Sequence, residues 1–556
     1  MDDRAHLIAV ARGDAEPDVV IAGARVFAAH TREWLRANVA IAGGRIAGVG
    51  AYEGGKQIDG AGRHLVPGFI DAHVHLESSK LTPAEFARAV VARGTTAVVC
   101  DPHEIANVLG VEGVEWMLEA TEALPLDVYV MAPSCVPASP FESPRGALGP
   151  EAMAAVLRHP RALGVAEMMN FPAVIAGDAA ELEKLALAPH VDGHAPGVTG
   201  RPLDAYVAAG IRTDHESTTV EEALEKRRRG MWVLIREASN ARNLEALLAL
   251  VRAHGPEHCA FCTDDREPDF LVREGHLDQM CRAAVRAGIA PEEALLLATL
   301  HPAQCHGLRD AGAIAPGRKA DLVLLEDLDD FRATLVLKDG AVVAREGETL
   351  PFEHAAPPAA LTDTVRCRPL SAQDLALPAA GRVRVIEIVP GQLITRAAEA
   401  APGDAGLAKI AVVERHHETG RVGVGLVRGF GLQAGAFAST VAHDAHNMVI
   451  VGVDDADMLA CFERLCAVGG GLAVAREGAV RGELPLPVAG LLSDRPAAEV
   501  AAALERLQGQ LREQGVEVEA PFMTLSFLAL SVIPALKITD RGLVDVERFS
   551  LVPLEV

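Results

Sequence analysis

The stretch PGFIDAHVHLESS, residues 67–79, is the first of a series of similar strand-forming segments and shows their pattern most clearly. Its apolar residues are typical of a buried β-strand, and His73 and His75 follow in a His-x-His spacing. Because side chains alternate between the two faces of a strand, both imidazoles lie on the same face. The sequence therefore predicts that this strand presents two metal-binding nitrogens towards one point.

Seven further apolar segments rich in β-branched residues follow, each ends in a polar cluster, and most are followed by a helical pattern. Strand followed by helix, repeated eight times within about 200 residues, is typical of a (β/α)8 barrel. We therefore expect an α/β fold built on a TIM-like barrel. The eight segments are HLVPGFIDAHVH, TTAVVCDPHE, LDVYVMAPSC, ALGVAEMMN, HVDGHAPG, IRTDHES, MWVLIREASN and CAFCTDDRE.

Helix starts can be predicted between these strands. Thr82 precedes Pro83 with Glu85 three residues after the threonine, and Thr219 has Glu222 at the same spacing, so both sites resemble capping boxes. Two helices predicted after the eighth strand complete the ring, and they span residues 274–286 and 291–308.

The regions that flank the barrel predict two further domains. Short β-rich runs separated by glycine-containing turns occur both before and after the barrel segment, and we expect them to form one composite β-sheet domain. A separate α+β domain follows, with helices predicted at residues 454–468 and 497–514. The predicted boundaries are 1–66 with 309–357 for the sheet domain, 67–308 for the barrel and 358–556 for the C-terminal domain.

The charge and apolar content exclude several classes of protein. Lys plus Arg number 52 against 76 for Asp plus Glu, so the net charge of −24 disfavours a nucleic acid partner. Half of the residues are hydrophobic and the glycines and prolines are dispersed, which is typical of a compact globular protein. The N-terminus lacks the pattern of a signal peptide, and the apolar stretch at 522–538 is short and interrupted, so we expect no membrane partner.

The nine cysteines are odd in number and lie mostly in apolar runs, as is typical of reduced thiols in the cytoplasm. Cys259 and Cys262 form a C-x-x-C, but no second pair follows at zinc-ribbon spacing, so we interpret HCAFC as a strand. The expected location is therefore cytoplasmic.

Polar residues that can bind metals or carry protons follow six of the eight strands. In such barrels the chemistry takes place at the carboxyl ends of the strands, where these side chains would converge. Imidazole and carboxylate ligands together suit one or two ions of zinc, manganese or iron. The candidates are His73, His75, Asp101, His103, Glu104, Glu167, His194, His215, Asp264 and Asp265.

Other roles are open for some of these residues. A single buried histidine such as His194 or His215 is often a hydrogen-bonded part of the scaffold, and Glu167 can be a surface acid. Asp101 or Glu104 can instead cap the following helix, and His103 is ambiguous between capping and support of a ligand.

The sequence resembles the metal-dependent amidohydrolase superfamily, whose signature is similar to residues 67–79. Within it, the resemblance is strongest to the adenine deaminase family and extends over nearly the whole chain, including the C-terminal domain. The segments that carry it are DPHEIANV, AEMMNFP, VDGHAPG, TDHES, CTDDREP, STVAHDAHN and LPVAGLLS.

The resemblance implies a binuclear site that prefers manganese or iron, with zinc as a further option. It places His73 and His75 on one ion and His194 and His215 on the other; Glu167 bridges them. Asp264 is implied to be both a ligand and a proton carrier. Relatives that hydrolyse cyclic amides have a carboxylated lysine at the fourth strand, whereas residues 162–170 contain no lysine.

The implied reaction is the hydrolytic deamination of adenine to hypoxanthine and ammonia, a step of purine salvage. A metal-activated water would attack C6, and Asp264 would take its proton and return it to the leaving amine. Glu104 is our candidate for protonating the ring at N1, because a carboxyl that is shielded from water and close to other acids retains its proton. Asp101 and Asp265 would support Glu104 or contact the base.

Two other functions are consistent with the barrel, namely a cyclic-amide hydrolase of the dihydroorotase or allantoinase kind and a scaffold without catalysis. The H-x-x-H of His443 and His446 can bind a metal, but we favour a hydrogen-bonded turn. The C-terminal domain would cover the barrel mouth or form an oligomer contact, and we expect a homodimer.

Overall fold

The structure is a computed structural model that describes residues 3–377 and 381–556. Its centre is a barrel of eight parallel strands, which hydrogen-bond in chain order as one five-stranded and one three-stranded sheet. The Asp264 amide donates to the His73 carbonyl at 3.0 Å and the Arg212 amide to the Val191 carbonyl at 3.1 Å, which closes the ring. The predicted barrel is therefore confirmed. Its strands are Phe69–Val74, Thr95–Cys100, Asp127–Ala132, Ala162–Met168, Val191–Gly193, Thr213–Asp214, Trp232–Arg236 and Cys259–Cys262.

Helices surround these strands and bury their apolar faces in one large core. They are Pro83–Val91, His103–Leu109, Val111–Ala120, Pro150–Val156, Phe171–Ala176, Ala179–Leu185, Gly200–Ala208, Val220–Arg228, Leu244–His254, Pro268–Arg273, Leu277–Arg286, Pro291–Ala298 and Leu300–Cys305, and a 3₁₀ turn spans Leu76–Ser79.

The helix starts agree only partly with the predicted capping boxes. Thr219 accepts a bond from the Glu222 amide, as expected. Thr82 precedes the helix that begins at Pro83, but its hydroxyl caps no amide among the described residues. Glu85 instead accepts a bond from the backbone of Ala497 in the C-terminal part of the chain. A tertiary contact has therefore replaced the local one.

The two helices after the eighth strand differ from their predicted bounds. The first begins at Leu277, because Gly275 has a φ of 115° and the His276 amide is bonded by the Asp278 carboxylate just before the helix. The second is interrupted at Thr299, whose backbone is not helical, and resumes until Cys305.

A small sheet combines strands from both sides of the barrel segment. The strand His64–Pro67 pairs antiparallel with Leu322–Leu325, which joins the two halves of the sheet. Its own core includes Ile21, Val39 and Leu337. The strands are Val19–Ala28, Glu33–Ala42, Arg45–Gly50, Lys56–Asp59, His64–Pro67, Leu322–Leu325, Ala333–Lys338, Ala341–Arg345 and Glu348–Thr349, preceded by the helix Asp3–Arg12.

The C-terminal part forms a separate eight-stranded sheet with helices and a small three-stranded sheet. The helices predicted at 454–468 and 497–514 are found at Asp455–Val468, capped by Asp454, and at Ala497–Glu513. The remaining elements are Ala359–Leu361 (3₁₀), Val383–Ile388, Thr395–Ala400, Leu407–Val413, Val422–Arg428, Ala436–Ser439, Met448–Gly452, Gly471–Arg476, Ala479–Pro485, Pro521–Phe527, Leu536–Thr539, Gly542–Asp545 and Ser550–Val552.

The C-terminal part packs against the loops at the carboxyl ends of the barrel strands. The Ser493 amide donates to the carbonyl of Lys80 at 2.8 Å, and Ser143 donates to Asp540 at 2.7 Å. Apolar residues of both parts belong to the same core. These contacts place the C-terminal part over the barrel mouth, whereas the alternative role in an oligomer contact stays a prediction. Across the described ranges, no helix has the length and apolarity needed to span a membrane.

Candidate active site

The ten candidate residues all lie at the carboxyl ends of the barrel strands, and none is more than 5% exposed. The first strand contributes His73 and His75, whose Nε2 atoms are 3.1 Å apart. Nδ1 of His75 lies 2.9 Å from the carbonyl oxygen of Asp101. Since a carbonyl only accepts, Nδ1 carries the hydrogen in neutral His75 and Nε2 directs a lone pair into the site.

Glu167 lies between two pairs of histidines. Its Oε2 is 2.7 Å from Nδ1 of His194 and 3.3 Å from Nε2 of His215. Its Oε1 is 3.3 Å from Nε2 of His75 and 3.8 Å from Nε2 of His73. Glu167 is buried, so the alternative of a surface acid is wrong. Its position between the pairs is the one that a bridging ligand requires.

Asp264 follows the eighth strand and joins the same cluster. Its Oδ1 lies 3.1 Å from Nε2 of His75 and 3.6 Å from Nε2 of His73, and its Oδ2 accepts a bond of 2.8 Å from Arg236. Burial alone raises the pKa of Asp264, but the charge of Arg236 and the bonds from the two histidines hold it well below its ordinary value. Arg236 is itself held by Glu216, with which it forms a two-pronged ion pair.

The residues present fit one or two divalent cations. Four overlapping groups of nitrogen and oxygen atoms converge, each group within 4.8 Å. Carboxylates outnumber fixed cations here, and several buried ligand atoms have no hydrogen-bond partner in the described part of the chain. Such atoms require a positive charge or a proton. The atoms are Asp101 Oδ1, His103 Nε2, His194 Nε2 and His215 Nδ1.

A second group of acids lies beside the metal-binding cluster. Ser78 Oγ is 2.9 Å from Glu104 Oε1 and 2.5 Å from Asp265 Oδ1. A hydroxyl carries a single hydrogen and can donate to only one of these oxygens. The hydroxyl of Ser78 therefore links the two carboxyl groups without donating to both of them.

The capping alternative for the second strand is wrong. The helix His103–Leu109 begins without a side-chain cap, and the amide of Ile105 is bonded by Glu77. Asp101 Oδ2 lies 3.1 Å from Nδ1 of His103 and does not contact Glu104 among the hydrogen bonds described here. His103 therefore supports the cluster, and it is one of the residues grouped as candidate ligands.

The C-terminal histidines face the acid group. His443 Nε2 lies 3.3 Å from Asp265 Oδ1, and its Nδ1 lies 2.6 Å from the hydroxyl of Ser526. Burial lowers the pKa of His443, but the charges of Asp265 and Glu104 outweigh burial and raise it to about 10. Its ring stacks on Phe527 with centroids 4.5 Å apart. His443 is therefore a buried cation beside the two acids.

His446 forms the hydrogen-bonded turn that the sequence predicts, because its ring accepts a bond from the amide of Ala442. Its Nε2 also lies 3.5 Å from Glu104 Oε2. Next to His443, Asp444 places Oδ1 3.6 Å from Nε2 of His103. The narrow cavity between these groups and the barrel has an apolar side formed by Met169, Leu393, Phe527, Leu530 and Ile533.

Sequence reasoning missed Ser78, Glu216, Arg236 and Asp444 as members of the site. Ser78 and Glu216 lie inside segments that end strands, and Arg236 is the last residue of the seventh strand, so position at a strand end was an available signal. Asp444 lies more than 300 residues along the chain from the barrel's first histidines, so no local sequence pattern could predict its contact with His103.

Comparison with known protein families matches residues 64–343 to the amidohydrolase family and residues 391–550 to the adenine deaminase C-terminal domain. The chain is 49% identical to the adenine deaminase of Nitratidesulfovibrio vulgaris (strain Hildenborough) over 99% of its length and 98% of that protein. It is 46% identical to adenine deaminase 2 of Carboxydothermus hydrogenoformans over 99% of both chains. It is 47% identical to the adenine deaminase of Archaeoglobus fulgidus over 99% of its length and 98% of that protein. With this identity over almost the full length, the chain belongs to the adenine deaminase family within the amidohydrolases.

Proposed function

We propose that this protein hydrolyses adenine to hypoxanthine and ammonia. The observation that carries the proposal is the pairing, in one closed site, of a donor set for divalent ions with a separate pair of acids bridged by the Ser78 hydroxyl. Attack of water at C6 needs the divalent ions, and protonation of the ring needs a nearby acid. The relatives that match over nearly the full length are named adenine deaminases.

In the proposed site, His73 and His75 would hold one ion and His194 and His215 would hold the other, with Glu167 and Asp264 as further ligands. A bound divalent pair would supply a water whose pKa is lowered to about 7. We propose manganese or iron, with zinc as the alternative, because nitrogen and oxygen donors suit all three.

Asp264 is the proposed proton carrier for the attacking water. Arg236 bonds Oδ2, which keeps the carboxylate ionised and turns Oδ1 towards the histidines. Oδ1 accepts a proton from the attacking water and returns it to the amino group that leaves C6 as ammonia. The second proton of the water stays on the new C6 hydroxyl, and its release as the C6 carbonyl forms restores the proton that the ring donor gives to N1.

Glu104 is the proposed donor to ring nitrogen N1. It is fully buried, and the Ser78 hydroxyl, which lies 2.5 Å from Asp265 Oδ1, also lies 2.9 Å from Glu104 Oε1, where a protonated Glu104 would donate to it. We propose that Asp265 and His443 position this proton, and that Asp101 orients His103, which it contacts.

The two other candidate functions find less support. A cyclic-amide hydrolase would have a lysine at the fourth strand, where this chain has Glu167. A scaffold without catalysis would not be expected to keep a full set of buried ligands.

Ammonia release from adenine by the metal-reconstituted protein tests the proposal, with adenosine and a hydantoin as comparison substrates. We expect ammonia and a change in purine absorbance with adenine. A metal-loaded protein that leaves adenine unchanged would contradict the proposal, and hydantoin hydrolysis would favour the cyclic-amide alternative.

We also propose a cytoplasmic location, supported by nine cysteines that all carry free thiols. The homodimer stays a prediction, and light scattering of the purified protein distinguishes one chain from two.

A further inference from the structure

A second group of potential metal ligands lies deeper in the barrel, away from the mouth. Asp192 belongs to the fifth strand and precedes His194 by two residues, so it is on the same face, about 6–7 Å further down the strand. His190 comes just before this strand, and His306 follows the helix that ends at Cys305. Three side chains from two distant parts of the chain therefore meet beneath the proposed active site.

The hydrogen-bond partner of His306 determines which of its ring nitrogens carries no hydrogen. Its Nε2 lies 2.8 Å from the carbonyl oxygen of Ala72, and a carbonyl only accepts. Burial lowers the pKa of His306 to about 4, so the ring is neutral, with hydrogen on Nε2 and a lone pair on Nδ1. Nδ1 is buried and has no hydrogen-bond partner within residues 3–377 and 381–556.

Asp192 has a second buried acceptor atom that lacks a hydrogen-bond donor among the described residues. Its Oδ1 accepts a bond of 2.9 Å from Thr213 and lies 2.9 Å from Nε2 of His190, but its Oδ2 is buried with no donor from the described segments. Two buried lone pairs that lack a donor require a cation or a donating water between them.

We propose that His190, Asp192 and His306 bind a divalent transition-metal ion that is separate from the catalytic centre. One ligand atom of each residue lies within 4.8 Å of the other two, whereas ligands of a tetrahedral zinc are about 3.4 Å apart, so a small closure completes the site. Two imidazoles and one carboxylate suit zinc, with a water as fourth ligand. On metal binding, Nε2 of His190 would leave Asp192 and bind the ion instead. The His190 side chain is 19% exposed, so the ion can reach the site from solvent. Such an ion ties the fifth strand to the helix that follows the barrel.

Metal content after zinc reconstitution tests this proposal. We expect His306→Leu and His190→Gln each to lose one zinc equivalent per chain relative to the unmodified protein. His301→Leu is the matched control, because His301 is a buried histidine of the helix that His306 follows, and it bonds a backbone carbonyl but lies outside the group. This control should keep all of the zinc. His190 is partly exposed, so its variant answers the question even if His306→Leu fails to fold.

A crystal of the zinc-loaded protein gives the second measurement, since anomalous scattering at the zinc edge locates each ion. A peak among the three side chains is expected. Equal zinc content in all variants, together with density for a water alone at this position, would overturn the proposal. Neither result depends on whether the protein deaminates adenine.

Discussion

Nε2 of His443, in the C-terminal part of the chain, lies 3.7 Å from Oε1 of Glu104, which follows the second barrel strand. The contact joins the two parts of the chain at the point where the proposed ring proton resides. Since Ser526 bonds the other nitrogen of His443 and Phe527 stacks on its ring, the C-terminal part holds this imidazole in place. The proposed site is therefore incomplete without the C-terminal part.

Replacement of Glu104 by Gln tests the proposed proton donor. The amide keeps the shape of the side chain but has no acidic proton, so we expect kcat to fall by about 100-fold or more. Metal content should stay unchanged, because Glu104 lies with Ser78 and outside the ligand groups around Glu167. Steady-state kinetics and metal analysis of the same sample measure both. Turnover equal to that of the unmodified enzyme would exclude Glu104 as the donor.

Replacement of His443 by Asn tests the role of the buried cation. Its positive charge favours the ionised form of the acids beside it, so its loss should strengthen their hold on protons. We expect a lower kcat and a shift to higher pH of the limb of the pH–rate profile on which activity falls as pH rises. His417→Asn is the control, since His417 is a nearby exposed histidine. A lower rate with an unshifted pH profile would indicate a purely structural role for His443.

Replacement of Arg236 by Met should affect both stability and activity. The change leaves Asp264 and Glu216 buried without their shared cation, and breaking a buried ion pair in this way costs about 3–5 kcal/mol. Urea unfolding measures the loss of stability, and kcat should fall because Asp264 loses a neighbouring charge that lowers its pKa. Arg242→Met, which removes two more exposed ion pairs with Glu237 and Glu274, should cost about 1 kcal/mol or less. Similar losses in the two variants would contradict the assigned role of Arg236.

The free energy of unfolding should rise with pH because Lys537 is buried. Burial lowers the pKa of Lys537 to about 7, and as a neutral amine its two hydrogens match the carbonyls of Leu393 and Phe527, which it contacts at 2.8 and 2.9 Å. Between pH 7 and about 10 the unfolded chain binds a proton that the folded chain does not, so this group adds about 1 kcal/mol of stability per pH unit. Urea unfolding at pH 7, 8 and 9 measures the slope.

Lys537→Met should remove that part of the slope, because methionine does not titrate. Lys409→Met is the control, since Lys409 forms an ion pair with Asp455 and its loss should leave the slope unchanged. A slope that is the same in both variants and in the unmodified protein would show that Lys537 is protonated in the folded state.

Local sequence patterns predicted the barrel well, because each strand and helix is encoded by short-range periodicity. They predicted less well where a distant part of the chain competes for a local bond. Glu85 pairs with the backbone of Ala497 and leaves Thr82 without a reciprocal cap. Glu77 takes the amide at the start of the helix after the second strand, so Asp101 is free to contact His103.

The sequence by itself determined the eight strand-ending segments and therefore the residue types that gather at one end of the barrel. It determined this because strand alternation places His73 and His75 on one face whatever the rest of the chain does. Only the tertiary structure decided how Glu167 lies between the histidine pairs, that Arg236 holds Asp264, and that His443 reaches Glu104. These contacts join residues far apart in the chain, and their geometry depends on barrel closure and on the docking of the C-terminal part, which no short-range periodicity encodes.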